Sequence, residues 1–164
     1  MHYYIDGHNL IPKVNGIHLS DDQDEQALLE RIQEYVRISR KSCSVFFDKA
    51  PENKTRDGHY GTVHVIYVTH HMKADEEIIA RINKLGKMKA SEVTVVSSDQ
   101  HVQWQCHQAG AAIMTSEKFA SEMNKIFMTG EPGNKINRKS SPKLESKLSP
   151  SEVEEWLRIF NEKK

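Results

Sequence analysis

The 164-residue chain has little cysteine, no net charge and no long apolar run, and each of these absences excludes some classes of protein. Its two cysteines, Cys43 and Cys106, stand far apart and outside any metal-binding spacing. They predict a reduced, intracellular and cytoplasmic protein. No apolar run reaches the roughly 18 residues of a membrane span, so no membrane association is expected. The 23 basic and 23 acidic residues balance, so a nucleic-acid partner would have to be recognised through a local patch.

Several common nucleotide and metal motifs are also missing. The sequence has neither G-x-x-x-x-G-K-[ST] nor G-x-G-x-x-G, which argues against a P-loop or dinucleotide-binding fold. A haloacid-dehalogenase-type phosphotransferase would need Asp-x-Asp after its first strand, but His8 stands two residues beyond Asp6. The histidines invite a zinc interpretation, although the spacing of the candidates fits no standard zinc pattern. Those candidates are His70, His71, His101, Cys106 and His107.

What the sequence does contain is a regular alternation of apolar strands and amphipathic helices. The predicted strands are 3–5, 43–47, 62–68, 92–97 and 111–114. The predicted helices are 21–41, 74–88, 100–109 and 116–128, the first capped by Ser20 or Asp21, and residues 50–61 are predicted to form a loop. The alternation predicts an α/β domain over residues 1–128, with a mostly parallel sheet covered by helices.

The composition changes after this domain. Residues 129–148 are rich in Gly, Pro, Ser and Lys and are predicted to form a basic linker. Ser149 and Pro150 then begin a predicted amphipathic C-terminal helix over 149–164. Its apolar face must dock on the domain or on a partner and consists of Val153, Trp156, Leu157 and Phe160. Trp104 and Trp156 are expected to be core or docking residues rather than base-stacking platforms, and the oligomeric state is left open.

Each main predicted strand is followed by an acidic residue. Because the carboxyl ends of parallel strands lie along one edge of a sheet, these acids are expected at the same edge. They are Asp6, Asp48, Asp75 and Asp99. At 100° per residue, Asp75 shares the helix face of Ile78 and Ile82, whereas Glu77 is predicted to point to solvent and Glu76 to lie on the flank.

Several carboxylates at one edge repel each other unless a divalent cation lies between them. Carboxylate oxygens suit Mg²⁺ or Mn²⁺, which could polarise a phosphate and lower the pKa of a bound water. A single aspartate after a strand is also common as a turn residue or helix cap, and Asp99 suits that role well. The pattern alone therefore leaves both a metal site and a set of caps open.

The segments YYIDGHNLI, VFFD, ADEEI and VTVVSSDQ, in this order, resemble the NYN domains of the YacP-like branch, within the PIN-like nuclease superfamily. The resemblance covers roughly residues 2 to 128. It implies a Rossmann-like α/β/α sandwich with a Mg²⁺- or Mn²⁺-dependent site that hydrolyses RNA phosphodiester bonds. His8 departs from the resemblance, because an aromatic residue such as tyrosine is common at this position in the branch.

The resemblance also assigns roles to residues at the predicted edge. The implied catalytic residues are Asp6, Asn9, Asp75 and Asp99. The implied metal ligands are Asp6, Asp75 and Asp99, with Glu76 and Asp48 as further candidates. Gly7 is expected to let the backbone turn directly after Asp6, and Asn9 to hold Asp6 or a loop carbonyl by hydrogen bonds.

Two functions are therefore open. The protein is expected to be a metal-dependent ribonuclease that cuts endonucleolytically, and the alternative is a non-catalytic RNA-binding module on the same fold. Polar residues around the edge could hold phosphates and stack bases, although a plain solvated loop would also explain them. These residues are Ser98, Arg56, His59, Tyr60, His70, His71 and Lys73. A pure binder would not need Asp6, Asp75 and Asp99 together. RNA is the expected partner in both cases, with a ribosome or an RNA-processing protein as a further candidate.

Overall fold

The computed structural model describes residues 1–20, 23–49, 57–69 and 71–130. Arg56, His70, the predicted C-terminal helix and all but the first two residues of the predicted linker lie outside these ranges. The predictions made for them therefore stay predictions.

A six-stranded sheet forms the centre of the described part. Its strands are β1 (His2–Asp6), β2 (Ser42–Asp48), β3 (Asp57–Tyr60), β4 (Val63–Val68), β5 (Val93–Val96) and β6 (Ala112–Met114). They lie in the order β3-β4-β2-β1-β5-β6. Every neighbouring pair is parallel except β3 with β4. This is the mostly parallel sheet that the alternation predicts, and it places the ends of β1, β2, β4 and β5 side by side at one edge.

Helices cover both faces of this sheet. They are α1 (Gly7–Leu10), α2 (Asp24–Ser39), α3 (Ala74–Ala90), α4 (Gln100–Gln108) and α5 (Ser116–Thr129), with a 3₁₀ turn at Ile11–Lys13. One buried cluster joins α2 and α5 to one face, through residues such as Ile5, Leu28 and Phe119. The other joins α3 and α4 to the opposite face, through Phe46 and Ile78 among others. The result is the expected α/β/α sandwich, and none of its described helices could cross a membrane.

The most apolar strand lies in the interior, as the sequence predicts. All residues of β5, from Val93 to Val96, are buried, because β5 pairs on both sides and has helices over both faces. β1 is also an inner strand, between β5 and β2, and it ends in Asp6. The central position of β1 therefore brings Asp6 to the middle of the sheet edge.

One strand lies inside the segment predicted as a loop. β3 has the sequence DGHY, and none of its residues is buried, so no apolar pattern marks it. It is formed by antiparallel pairing with β4, in which Asp57 lies opposite Ile66 and Tyr60 opposite Val63. The prediction of a loop over 50–61 is wrong for these residues.

Two local predictions about helices are also wrong. α2 begins at Asp24 with Gln23 as its N-cap and no capping side chain, so the predicted cap at Ser20 or Asp21 is not formed. Trp104 is 61% exposed, so the core role predicted for it is wrong, whereas the docking role stays a prediction. The buried positions of α4 belong to Val102 and Cys106, and Trp104 lies two residues from each of them on the other side of the helix.

Candidate active site at the carboxyl edge of the sheet

Asp6 is the buried centre of this edge. It is the last residue of β1, is 9% exposed, and its Oδ1 accepts a 3.3 Å hydrogen bond from the backbone N–H of Asn9. The pKa of Asp6 is raised from 3.8 to about 6, and burial is the largest cause. The negative charges of Asp48 and Asp75 also raise it, whereas the hydrogen bond from Asn9 and the nearby His8 lower it. The fold therefore holds a carboxyl group where its charge is unfavourable.

The glycine after Asp6 is required by packing. A Cβ atom on Gly7 would lie 2.3 Å from Cε1 of Phe47, which is far inside van der Waals contact. Gly7 is itself the first residue of α1, with no positive φ. The expectation that Gly7 supplies backbone freedom for a turn is therefore corrected: the ring of Phe47 leaves no space for a side chain.

Asp48 and Asp75 lie on one side of Asp6. Asp48 ends β2, and its Oδ1 accepts a 2.6 Å hydrogen bond from the backbone N–H of Ala74, the first residue of α3. Asp75 follows directly and is half-buried above the buried Ile78, as helix geometry predicts. The charges of both acids act on Asp6. Asp48 thus fixes the start of α3 against β2, and this contact brings Asp75 to the site.

The two glutamates after Asp75 behave differently from each other. Glu76 is exposed, and its Oε2 accepts a 3.1 Å hydrogen bond from the backbone N–H of Lys73, so it helps to close the first turn of α3. Glu77 is half-buried and accepts a 2.7 Å hydrogen bond from Nε of Arg81. The prediction that Glu77 points to solvent is wrong, because Arg81 lies one turn along the same face.

Asp99 lies on the other side of Asp6 and caps α4. Its Oδ1 accepts hydrogen bonds from the backbone N–H groups of His101 and Val102, at 2.8 and 3.2 Å. The cap explanation for Asp99 is therefore confirmed. Capping uses only one oxygen of the carboxylate, so it does not exclude a second role for the residue.

Asn9 ties the two sides of the edge together. Its Oδ1 accepts a 2.9 Å hydrogen bond from the backbone N–H of Ser98 and a 2.6 Å hydrogen bond from Oγ of Ser116. One amide oxygen thus joins α1 to the residues after β5 and to the start of α5. Asn9 holds the loop of Asp99 in place beside Asp6, and its amide oxygen is already used in doing so.

Two further acids at this edge were missed from the sequence. Glu117 accepts hydrogen bonds from Oγ of Ser98 and, at 2.8 Å, from Nζ of Lys13, and these two bonds lower its pKa to about 2. The rule that acids follow strands would have found Glu117, which comes three residues after β6. Glu25 has no such signal, because it reaches the edge from the first turn of α2.

His8 connects Glu25 with the carboxylate edge. Its Nε2 lies 3.0 Å from Oε1 of Glu25, and its Nδ1 lies 3.6 Å from Oδ2 of Asp48. The hydrogen bond with Glu25 is the main cause that raises the pKa of His8. The imidazole also meets the ring of Phe47 edge-on, with centroids 5.4 Å apart. His8 therefore keeps an aromatic contact at this position and adds a polar bridge.

The proposed RNA-contacting residues do not all lie at this edge. His59 and Tyr60 pair with His64 and Val63, at the start of β4, which is the opposite end of that strand. The structure thus does not bring them to the carboxylates. His71 and Lys73 are exposed just before α3, near Asp75. Arg56 and His70 lie outside the described residues.

The carboxylates of this edge are candidate ligands for a divalent cation. Within the described ranges, no three His, Cys, Asp or Glu side chains form a ready-made metal site, and His101, Cys106 and His107 do not either. The carboxylates nevertheless suit a hard cation. Asp6, Asp75 and Asp99 each use Oδ1 for backbone N–H groups, and Oδ2 accepts no hydrogen bond from any described residue.

The free oxygen of Asp6 is accessible. In the described part of the chain, no side-chain polar atom is both buried and without a hydrogen-bond partner. Oδ2 of Asp6 therefore reaches solvent, although the residue as a whole is buried. Asp6, Asp75 and Asp99 are thus each held through Oδ1, and their Oδ2 atoms are of the ligand type that Mg²⁺ or Mn²⁺ prefers.

The described residues thus form an α/β/α sandwich with acidic side chains at the carboxyl edge of its sheet. The chain belongs to the YacP-like NYN domain family, whose model matches residues 3–161. The match includes most of the chain after residue 128, where the resemblance seen in the sequence ended. NYN domains form part of a nuclease superfamily, so the family supports an RNA-related, nuclease-type protein.

Solved structures show the same fold. The crystal structure of Rae1 (YacP) from Bacillus subtilis matches with a TM-score of 0.65 and 20% identity, over 99% of this chain and 83% of that one. A tryptophan-to-leucine mutant of the same Bacillus subtilis protein matches with a TM-score of 0.63 and 22% identity, over 78% of this chain and 77% of that one. No curated protein matches the chain. At these identities the likeness establishes the fold alone.

Proposed function

We propose that the protein is a metal-dependent ribonuclease that cuts RNA phosphodiester bonds endonucleolytically. One observation supports the proposal: Asp48 and Asp75 act on the buried Asp6, Asp99 follows the neighbouring strand β5, and Asp6, Asp75 and Asp99 each keep one oxygen free. Mg²⁺ or Mn²⁺ would be held by Asp6, Asp75 and Asp99, with Glu76 and Asp48 as further ligands. When bound, the cation would polarise the scissile phosphate and lower the pKa of a water molecule.

The other residues of the edge hold these carboxylates in position. The Asn9 amide oxygen fixes Ser98 and with it the loop of Asp99. Asp48 fixes the first residue of α3 and with it Asp75. Asp6 itself is held by the backbone N–H of Asn9. Each contact restricts a carboxylate before substrate arrives, which is the preorganisation that an active site needs.

The proposal is tested by RNA cleavage in Mn²⁺ or Mg²⁺ with the Asp6→Asn, Asp75→Asn and Asp99→Asn variants. Each should lose cleavage by orders of magnitude with an unchanged circular dichroism spectrum. The matched control is Asp24→Asn, because Asp24 also accepts a hydrogen bond from the next N–H at a helix start, at 2.6 Å, but has no proposed ligand role. A circular RNA substrate tests endonucleolytic action, since only an internal cut can open it. Wild-type rates in all three variants would contradict the assignment.

A non-catalytic RNA-binding module is the second candidate. It is favoured by the capping bonds of Asp6 and Asp99 and by the absence of a ready-made three-ligand group among the described residues. In that case RNA would bind without being cut in either metal, and the three Asp→Asn variants would bind it as tightly as the wild type or more tightly. The same set of variants therefore separates the two functions.

We place this activity in the cytoplasm, with RNA as the partner. Cys43 and Cys106 are both free and buried, and burial raises the pKa of Cys43 to about 12, which suits a structural thiol in a reducing compartment. A ribosome or an RNA-processing protein is proposed as the carrier of the substrate. The proposed ribosome partner is tested by co-sedimentation of the Asp6→Asn variant with ribosomes, compared with its binding to free RNA.

A further inference from the structure

A groove follows α3 on the sheet face that α3 and α4 cover. Three cavities of about 230, 670 and 510 Å³ form its sections, and they are neighbours because Arg81 lines all of them. The first section includes Thr69 and Met72, which shortly precede Asp75 in the chain. The third reaches His2 and Glu92, at the opposite end of the sheet. The groove therefore leads from the neighbourhood of the carboxylate edge along the whole length of the strands.

The floor of the third section is a row of polar side chains from neighbouring strands. Nε2 of His2 lies 2.7 Å from Oγ of Ser44, which lies 3.3 Å from Nδ1 of His64. His59 extends the row by stacking on His64, with centroids 5.0 Å apart, and Tyr4 meets the ring of His2 edge-on at 5.4 Å. These contacts fix several rings beside the groove, and Ser44 and His64 are direct partners in the β2–β4 ladder.

The charges on the helix side of the groove are mainly positive. Arg81 is held by Glu77 at 2.7 Å and by Asp57 at 3.7 Å, so its charge is largely balanced. Lys84 and Lys89 line the groove and make no ion pair with any residue in the described ranges. Glu92 is the remaining acid of the third section. Two cations are thus available, and at a rise of about 1.5 Å per residue Lys84 lies about 14 Å along α3 from Asp75.

We propose that this groove binds the RNA strand beyond the bond that is cut, with phosphates at Lys84 and Lys89 and bases against Tyr4 and His2. The proposal rests on the ribonuclease function and extends it to the path of the substrate. Lysines without an ion pair, beside aromatic and imidazole side chains, are the features that bind a single-stranded nucleic acid without sequence preference.

The first test is a binding measurement in full-length protein made inactive by Asp6→Asn. The probe is a fluorescein-labelled oligoribonucleotide of about 12 nucleotides, long enough to extend past the edge. Lys84→Gln with Lys89→Gln should make the slope of log affinity against log salt shallower by roughly 1.4, since each single-strand phosphate contact contributes about 0.7. By the same relation, affinity at about 0.1 M salt should fall about 25-fold.

The control removes two charges elsewhere, by Lys87→Gln with Lys125→Gln. Lys87 is an exposed residue of the same helix, and Lys125 belongs to α5 on the other face; neither lines the groove. The control should keep the wild-type slope and affinity. An equal loss of RNA affinity in both double variants would mean a general charge effect and would overturn the proposal that RNA binds in the groove. An unchanged salt slope in the Lys84/Lys89 variant would also overturn it.

A second test uses cleavage with Asp6 intact. The Lys84/Lys89 variant should raise KM for the long oligonucleotide about 25-fold and leave the cleavage of a dinucleotide unchanged, because a dinucleotide cannot reach Lys84 from the edge. An equal loss on both substrates would contradict the proposed path. If the wild type cuts no RNA at all, the proposed ribonuclease function is wrong. The binding measurement with the labelled oligoribonucleotide still decides whether RNA lies in the groove.

Discussion

Replacing Asp6 by asparagine should stabilise the metal-free protein at neutral pH. The carboxyl group is 9% exposed, and its pKa is raised from 3.8 to about 6, mainly by burial. At about 1.4 kcal/mol per pKa unit, the charged form costs the folded state about 3 kcal/mol at pH 7 or above. Asparagine has nearly the same shape, keeps Oδ1 for the N–H of Asn9 and carries no charge. The variant should therefore melt roughly 6–12 °C higher.

The pH dependence gives this prediction a definite sign. Because the pKa of Asp6 is higher in the folded state, its contribution to stability is complete below about pH 3.8 and is lost as the pH rises through about 6. The asparagine variant has no such loss. The difference in unfolding free energy between the two proteins should therefore be close to zero near pH 4, should grow between pH 4 and 6, and should level off above pH 7.

The assay is urea unfolding of both proteins in EDTA across this pH range. Asp99→Asn is the matched control, since Asp99 is exposed and asparagine is an equally good N-cap; it should change stability little at any pH. Millimolar Mg²⁺ or Mn²⁺ should raise the melting temperature of the wild type by mass action, and much less that of Asp6→Asn. A stability difference that does not vary between pH 4 and 7 would refute the reasoning from the buried charge.

Two other predictions concern packing and the tail. Gly7→Ala should lower the free energy of unfolding by about 1–3 kcal/mol, because the new Cβ would lie 2.3 Å from the ring of Phe47. Chemical denaturation should show that Phe47→Leu partly rescues this loss. If the losses of the two single variants simply add in the double variant, the steric cause is contradicted. Changing the basic residues of the predicted linker to serine should weaken RNA binding and flatten its salt dependence without changing the melting temperature, and salt-independent binding in the parent chain would remove the linker from the RNA site. The residues to change are Lys135, Arg138, Lys139, Lys143 and Lys147.

Local sequence patterns were sufficient to predict the fold class and the acidic residues at one edge of the sheet. Apolar strands alternate with amphipathic helices, and in a parallel sheet this alternation leaves every strand end on the same side. The aspartates after β1 and β2 could thus be placed together without knowing the strand order. Helix periodicity was enough to prefer Asp75 to Glu77, because the 100° step fixes which residue lies above Ile78 and Ile82. These features depend on local patterns that repeat over a few residues.

The contacts that hold this edge together could not be predicted from local patterns. Asn9 bonds to Ser98 and Ser116, and His8 bridges Glu25 to Asp48. These contacts depend on the strand order and on helix positions, which no local pattern encodes. The strand β3 exists because β4 offers it a pairing edge, since its own residues carry no apolar signal. The burial that raises the pKa of Asp6 likewise comes from its position at the end of an inner strand, between elements far apart in the chain.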